Sequence, residues 1–241
     1  MYLIPLLALN PYTWLIIAAV IPAVYLLIYV YRKDHLEKES TRLLISLVAL
    51  GILSTTFAEL TETLGIAFLP QVAQPGSVKY NVLLYFIVVG MSEEGFKYLL
   101  LKYKTWRNPE FNCQFDGVVY AVFVSLGFAL WENISYVVSY GMATALVRAV
   151  TAVPGHTCFA VFMGTFYGIA KRLEIRGEYG RSRTFRWISF LVPVALHGTY
   201  DYFASSSDAS GQWIFVGFII VLFVSAYSMV KKLSAYDRYI Q

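Results

Sequence analysis

The sequence of 241 residues is short of charge: Asp, Glu, Lys and Arg together make up 14% of it, against about 25% in an ordinary globular protein. Hydrophobic residues fill 58% of the chain and the mean hydropathy is +0.59. A soluble fold of this length could not hide that much apolar surface, so a soluble globular domain is excluded. The formal net charge is only +4 and comes from short clusters, which excludes a broad nucleic-acid-binding face. There are two cysteines, Cys113 and Cys158, with neither metal-type spacing nor a disulfide framework. No Lys or Arg precedes Arg32, so the basic region of a cleavable signal peptide is missing. Low-complexity segments are absent. So are internal repeats, which argues against a transporter built from inverted halves. Aromatics are plentiful, with 19 Tyr, 17 Phe and 5 Trp, a composition suited to the aromatic belts of a bilayer protein.

Apolar stretches of about 20 residues, the length that crosses a hydrocarbon core, fall at 12–31, 43–67, 80–101, 116–138, 143–170, 186–204 and 212–230. They predict an all-α, polytopic membrane helix bundle of about seven transmembrane helices, a single integral membrane domain over residues 1–241. Basic residues give a separate check. Arg32, Lys33, Lys38 and Arg42 follow the first span, Lys79 alone follows the second, and Lys102, Lys104 and Arg107 follow the third. The 171–186 connection carries six Lys or Arg, the 205–211 loop none, and the tail Lys231, Lys232 and Arg238. The alternation places the N-terminus outside and the C-terminus in the cytoplasm.

The informative residues are those that lipid should exclude: Glu93, Glu94 and Lys97 in the third span, Glu132 in the fourth, His156 in the fifth, His197 and Asp201 in the sixth. A mid-membrane charge costs about 2.5–3.5 kcal/mol, so five cost on the order of 15 kcal/mol unless they pair or meet water. Their spread over four consecutive helices points to one shared polar cavity. Glu93 and Glu94 stand four and three residues before Lys97, so both carboxylates reach one ammonium along a helix face. His197 and Asp201 are likewise one turn apart, where the carboxylate can fix the imidazole tautomer or join it in ligating a metal. Pro154-Gly155 is expected to loosen the helix just before His156. Ion pairs and interhelical hydrogen bonds are the structural alternative for each residue, Glu132-Asn133 included. Glu59 and Glu62 are expected near the external end of the second span, meeting water. Arg148 is expected to snorkel to the external interface or to meet a substrate terminus. Asp116 suits a helix N-terminus, and Ser125, Gly127 and Ala129 suit close helix packing. At 1.5 Å per residue, Glu94 and His156 lie roughly 10 Å from the basic face, His197 roughly 17 Å and Glu132 roughly 24 Å. Glu132 thus stands out of register with the rest.

These residues sit in a recognisable pattern. Met91-Ser-Glu-Glu-Gly-Phe-Lys97 resembles the E-E-x-x-K motif of the PrsW family of intramembrane proteases, within the wider CAAX-protease and bacteriocin-processing superfamily. Phe128-Ala-Leu-Trp-Glu132-Asn133 resembles its F-x-x-x-E-N motif, preceded by Asp116-Gly117 and Tyr120. Pro154-Gly-His156-Thr-Cys-Phe-Ala160 and His197-Gly-Thr-Tyr-Asp201 resemble its two histidine motifs. The resemblance covers about 85–205, a four-helix catalytic core with one motif per helix, and leaves the first two spans outside. It implies a multi-pass protease of a prokaryotic cell membrane, acting on a membrane-associated protein or peptide. The founding member cleaves a membrane-bound anti-sigma factor, so regulated proteolysis of such a substrate is one implied role.

The residues by themselves assign catalysis to Glu93, Glu94, Glu132, His156, His197 and Asp201, with Lys97, Asn133 and Arg148 in support. A glutamate can activate water while histidine donates to an oxyanion. No cofactor is required for that route, which the absence of H-E-x-x-H slightly favours. Zinc held by Glu132, His156 and His197 is the other route. A proton- or ion-coupled transporter and a catalytically silent scaffold are the rival functions. The missing repeat disfavours the first, and retention of two adjacent buried acids disfavours the second.

Overall fold

The computed structural model describes residues 11–240. The first ten residues, part of the stretch in which a leader's basic region would fall, lie outside them. Nine α-helices are described: α1 (Pro11–Lys33), α2 (Thr41–Phe68), α3 (Val78–Val82), α4 (Met91–Thr105), α5 (Asp116–Tyr140), α6 (Met142–Val150), α7 (Ala152–Ile175), α8 (Tyr179–Ala204) and α9 (Ala209–Ala235). Wide π-helical turns over Leu83–Gly90 join α3 to α4. The all-α bundle expected from composition is what the chain forms.

Five helical stretches are long and apolar enough to cross a membrane: Thr13–Lys33, Thr41–Gln71, Asp116–Tyr140, Met142–Ile175 and Ala209–Ala235. The two further expected spans, 80–101 and 186–204, are helical as well. They bear Glu93, Glu94 and Lys97 in one case and His197 and Asp201 in the other, and those residues dilute their apolar character. Exposure follows the expectation for lipid. Val221 on α9 and Leu60 on α2 are 66% and 60% exposed, a state that hydrocarbon solvent makes favourable and water would not.

The middle of the bundle is α5, whose first fourteen residues are all buried. It packs on α1, α2 and α7. Its crossing with α2 is close because both helices present glycine there. A Cβ on Gly127 would sit 2.3 Å from the Val48 carbonyl oxygen, and one on Gly51 would sit 2.0 Å from that of Val124. The small-residue reading of this part of α5 is the correct one. Helix α2 opens on Ser40, whose hydroxyl accepts from the Leu43 amide at 3.3 Å, a cap of the usual kind.

The span expected over 143–170 is broken. Helix α6 ends at Val150 and α7 begins at Ala152, with Thr151 non-helical at φ −121° and ψ −73°. The interruption falls at Thr151, before Pro154, because proline is tolerated in the first turn of a helix, where its missing N–H is not needed.

A candidate intramembrane active site

The site is built by the approach of α8 to the π-helical turns that precede α4. Gly90 and Gly198 permit it. A Cβ on Gly90 would lie 3.2 Å from the Val194 carbonyl oxygen, and one on Gly198 would lie 2.6 Å from the Phe86 ring. Backbones this close set His197, beside Gly198, against Glu93 and Glu94, one turn beyond Gly90. Single-turn π insertions recur at functional sites because they re-aim the side chains beyond them.

Lys97 is the hub. Its ammonium donates to Glu93 Oε2 at 3.1 Å and to Glu94 Oε1 at 2.8 Å, the i,i+4 and i,i+3 pairs expected from spacing. It also lies 3.3 Å from His156 Nδ1 and 3.8 Å from the centre of the Phe128 ring. An ammonium can only donate, so His156 Nδ1 accepts and its Nε2 carries the hydrogen. That Nε2–H donates to Glu132 Oε2 at 2.9 Å. Glu132 therefore belongs to the cluster despite the depth that residue counting assigns it. Counting residues gives depth along straight helices normal to the bilayer, and the 2.9 Å contact shows that it misplaces Glu132 relative to His156.

His197 is held at both ring nitrogens. Nδ1 is 3.1 Å from Glu94 Oε1 and 3.9 Å from Glu93 Oε2. Nε2 is 3.3 Å from Asp201 Oδ2, as the one-turn spacing suggests. Phe159 stacks on the imidazole at 5.0 Å and 23°, and Ser125 donates to the His156 carbonyl at 2.9 Å. Both the separation from Glu93 and that from Glu94 are short enough for one water to serve base and imidazole together.

A cavity of about 550 Å³ opens onto this cluster, lined among others by Glu93, Glu132, His156, His197 and Asp201. Glu94 is absent from its wall: the side chain is 0% exposed, whereas that of Glu93 is 9% exposed. Adjacent residues on a helix diverge by about 100°, so only one of the pair can face the void. Glu59 and Glu62, expected only to meet water at the end of α2, also line the cavity. Arg148 turns inward, with Nη2 2.8 Å from Glu132 Oε2 and Nε donating to Asn133 Oδ1 at 3.0 Å. Asn133 in turn donates to the Ala19 carbonyl at 2.8 Å, bracing α5 on α1. Tyr85, Tyr136 and Tyr200 complete the wall and were missed, since a tyrosine at helical spacing gives no signal that separates cavity from belt.

One donor atom each from Glu93, Glu94, His156 and His197 lies within 4.8 Å of the others, a span suited to a single metal ion. Glu132 is not in that group; it stands on the far nitrogen of His156, beside Arg148. Glu94 Oε2 is buried without a hydrogen-bond partner.

Carboxylates and imidazoles gathered round a cavity in a bundle with five membrane-length apolar helices define the class: a polytopic membrane protein with a polar internal site of the kind a hydrolase needs. The particular family comes from comparison. Residues 39–228 match the family model described as PrsW family intramembrane metalloprotease. Protease PrsW of Geobacillus kaustophilus is 33% identical over 93% of this chain and 94% of its own length. That of Halalkalibacterium halodurans is 32% identical over 93% and 99%, and that of Bacillus subtilis 30% identical over 92% and 95%. No solved structure matches the chain. The chain belongs to the PrsW family, and it is an integral membrane protease. The match begins at residue 39 and so takes in α2, which the motifs over 85–205 had left out; α2 earns its place by carrying Glu59 and Glu62 on the cavity wall.

Proposed function

We propose that this cluster hydrolyses a peptide bond of a membrane-associated protein admitted to the cavity, with Glu93 as the base that activates water. The observation that carries this is the common cavity: Glu93 is the member of the acid pair that meets it, and His197 stands beside Glu93 on the same wall. Glu94, fully buried, holds Lys97 and His197 in place. A scissile carbonyl oxygen that displaced Asp201 from His197 Nε2 would meet an N–H placed to stabilise negative charge on it. Arg148 and Glu132 form the opposite wall, where a fixed guanidinium can orient a substrate carbonyl.

The family description is of a metalloprotease, and these residues offer the donor atoms a metal needs. Glu93, Glu94, His156 and His197 would hold it once the Lys97 ammonium, now 3.1, 2.8 and 3.3 Å from Glu93, Glu94 and His156 Nδ1, has withdrawn, and Glu93 would then be a ligand instead of the free base. The fit rests on the histidines: each turns Nδ1 toward the acid pair and Lys97, while its Nε2 meets a second carboxylate, Glu132 or Asp201. A carboxylate on the far nitrogen is the usual support of a ligating histidine. A bound zinc would supply Lewis acidity toward a carbonyl and a water. This set exchanges Glu132 for the acid pair, relative to the expected trio of Glu132, His156 and His197, because Glu132 meets the far nitrogen of His156 and lies outside the group whose donor atoms fall within 4.8 Å of one another.

The test is cleavage of a membrane-anchored reporter by the purified, reconstituted protein, with and without chelator, alongside its metal content. Loss of cleavage in Glu93→Gln, Glu94→Gln and His197→Ala, with the fold kept, is expected. Near wild-type turnover in all three would overturn the assignment.

A further inference from the structure

At the end of the bundle that carries the basic loops, a second group of acids gathers, Asp34 and Asp116 buried and Asp237 half-buried, and it takes no part in the cavity site. Asp116 opens α5, Asp34 follows α1, and Asp237 lies in the tail after α9. Cys113 lies in the loop before α5. One donor atom each of Cys113, Asp116 and Asp237 comes within 4.8 Å of the others. The tail is already laid against that loop: Phe115 N–H donates to Asp237 Oδ1 at 2.9 Å, Gln114 N–H to the Arg238 carbonyl at 3.1 Å, and Ile240 N–H to the Asn112 carbonyl at 2.8 Å. Ser234 donates to the Lys33 carbonyl, which brings the end of α9 to the end of α1, next to Asp34.

The acids in this group lack counter-charges. Among the described residues, no Lys or Arg nitrogen lies within 4.0 Å of the carboxylates of Asp34, Asp116 or Asp237. The nearest cation, Lys38, spends its ammonium on the backbone carbonyls of Tyr31 and Asp34. Asp34 is 0% exposed and neither of its carboxylate oxygens has a hydrogen-bond partner; Asp237 Oδ2 is buried and unpartnered as well. Asp34 is near enough to act electrostatically on Cys113, Asp116 and Asp237. Asp116 Oδ2 accepts the Asn112 and Cys113 N–H groups at 3.0 and 2.6 Å, whereas Asp34 is wholly unpaired, and an unpaired buried carboxylate is among the costliest features a fold can carry.

We propose that Cys113, Asp116 and Asp237, with Asp34 beside them, form a divalent-metal site that clamps the C-terminal tail to the loop before α5. The thiol decides the class of ion. A sulfur among carboxylates selects a borderline-soft transition ion such as Zn²⁺ over Mg²⁺ or Ca²⁺, which prefer oxygen alone. Binding converts the Cys113 thiol to a thiolate and releases its proton. The ion joins elements far apart in sequence: the end of α1, the start of α5 and the tail.

Cobalt(II) titration of the chelator-stripped, full-length protein in detergent tests this without reference to catalysis. The group around Glu93 contains no sulfur, so a thiolate-to-cobalt charge-transfer band reads the proposed site alone. The band is expected to titrate as a single site in the wild type, whatever cobalt the Glu93 group takes up, to disappear in Cys113→Ser and to persist in Cys158→Ser. Asp237→Asn, a change that keeps the side-chain shape, should weaken cobalt binding at least about tenfold. Zn²⁺ should compete the band away and slow proteolysis of the tail. Absence of the band in wild type, or its survival in Cys113→Ser, would overturn the site. Unchanged affinity in Asp237→Asn would remove the tail from it and overturn the clamp.

Discussion

Two groups of buried acids in this molecule have met the same physical demand in opposite ways. Near the middle of the bundle, Glu93 and Glu94 share Lys97, and Glu132 has Arg148 and His156. Each carboxylate has a cation or an imidazole within reach. At the basic-loop end, Asp34 and its neighbours have none. Burial, with repulsion from Asp237 and Glu37 adding to it, pushes the Asp34 carboxyl up to about 6 even with Lys38 nearby. The comparison teaches that buried charge by itself does not mark an active site. The middle cluster is electrically closed yet bordered by a cavity, which gives it chemistry to do. The end cluster has no Lys or Arg partner and is tied to the tail, which suits it to the structural ion proposed above.

The largest effect expected is on catalysis. Glu93→Gln keeps the shape of the cavity wall and removes its base, so turnover of a membrane-anchored reporter should fall about 10²–10⁴-fold while the unfolding profile in detergent stays near that of wild type. A variant equally slow but partly unfolded would show that Glu93 serves the fold instead.

Lys97→Met comes next and probes electrical closure. It leaves two acids buried without their shared cation, a loss of about 3–5 kcal/mol where one partner of a buried pair is removed. Adding Glu93→Gln and Glu94→Gln to Lys97→Met should restore much of the stability. Denaturation of the single and triple variants in one detergent reads the difference, and equal stability of the two would erase the contrast between the clusters.

Glu132→Gln should act at one remove, through the far nitrogen of His156. Metal affinity or activity is expected to fall about 10–100-fold, with the reporter still bound. An effect as large as that of Glu93→Gln would promote Glu132 to a direct role.

The smallest change is expected to carry the opposite sign. In metal-stripped protein, Asp34→Asn removes an unpaired buried charge, so stability should rise by on the order of 1 kcal/mol. A comparable rise in Glu94→Gln would mean that the middle cluster is no better compensated than the end one.

Much of the site was legible beforehand because its signals are local. The i,i+3 and i,i+4 spacing of Glu93, Glu94 and Lys97 foretold their contacts, and the one-turn spacing of His197 and Asp201 foretold theirs. Arg148, expected to snorkel or to meet a substrate terminus, is the complementary case. Snorkelling is a rule about a helix facing lipid, and α6 faces inward at that residue, where Glu132 and Asn133 await it.

The sequence by itself determined that the chain is an all-α membrane protein, which helices bear the polar residues and which family motifs they carry. Composition and helical periodicity act within a segment, and lipid penalises every exposed charge, so these facts need no partner helix. Tertiary structure alone decided which of two adjacent glutamates meets the cavity, that Glu132 reaches His156, and that the tail lies against Cys113 and Asp116. Those outcomes depend on helix tilt, on π-helical turns that rotate the start of α4, and on backbones brought close at Gly90 and Gly198. Each is a relation between segments distant in sequence, and no residue's spacing within its own helix encodes it.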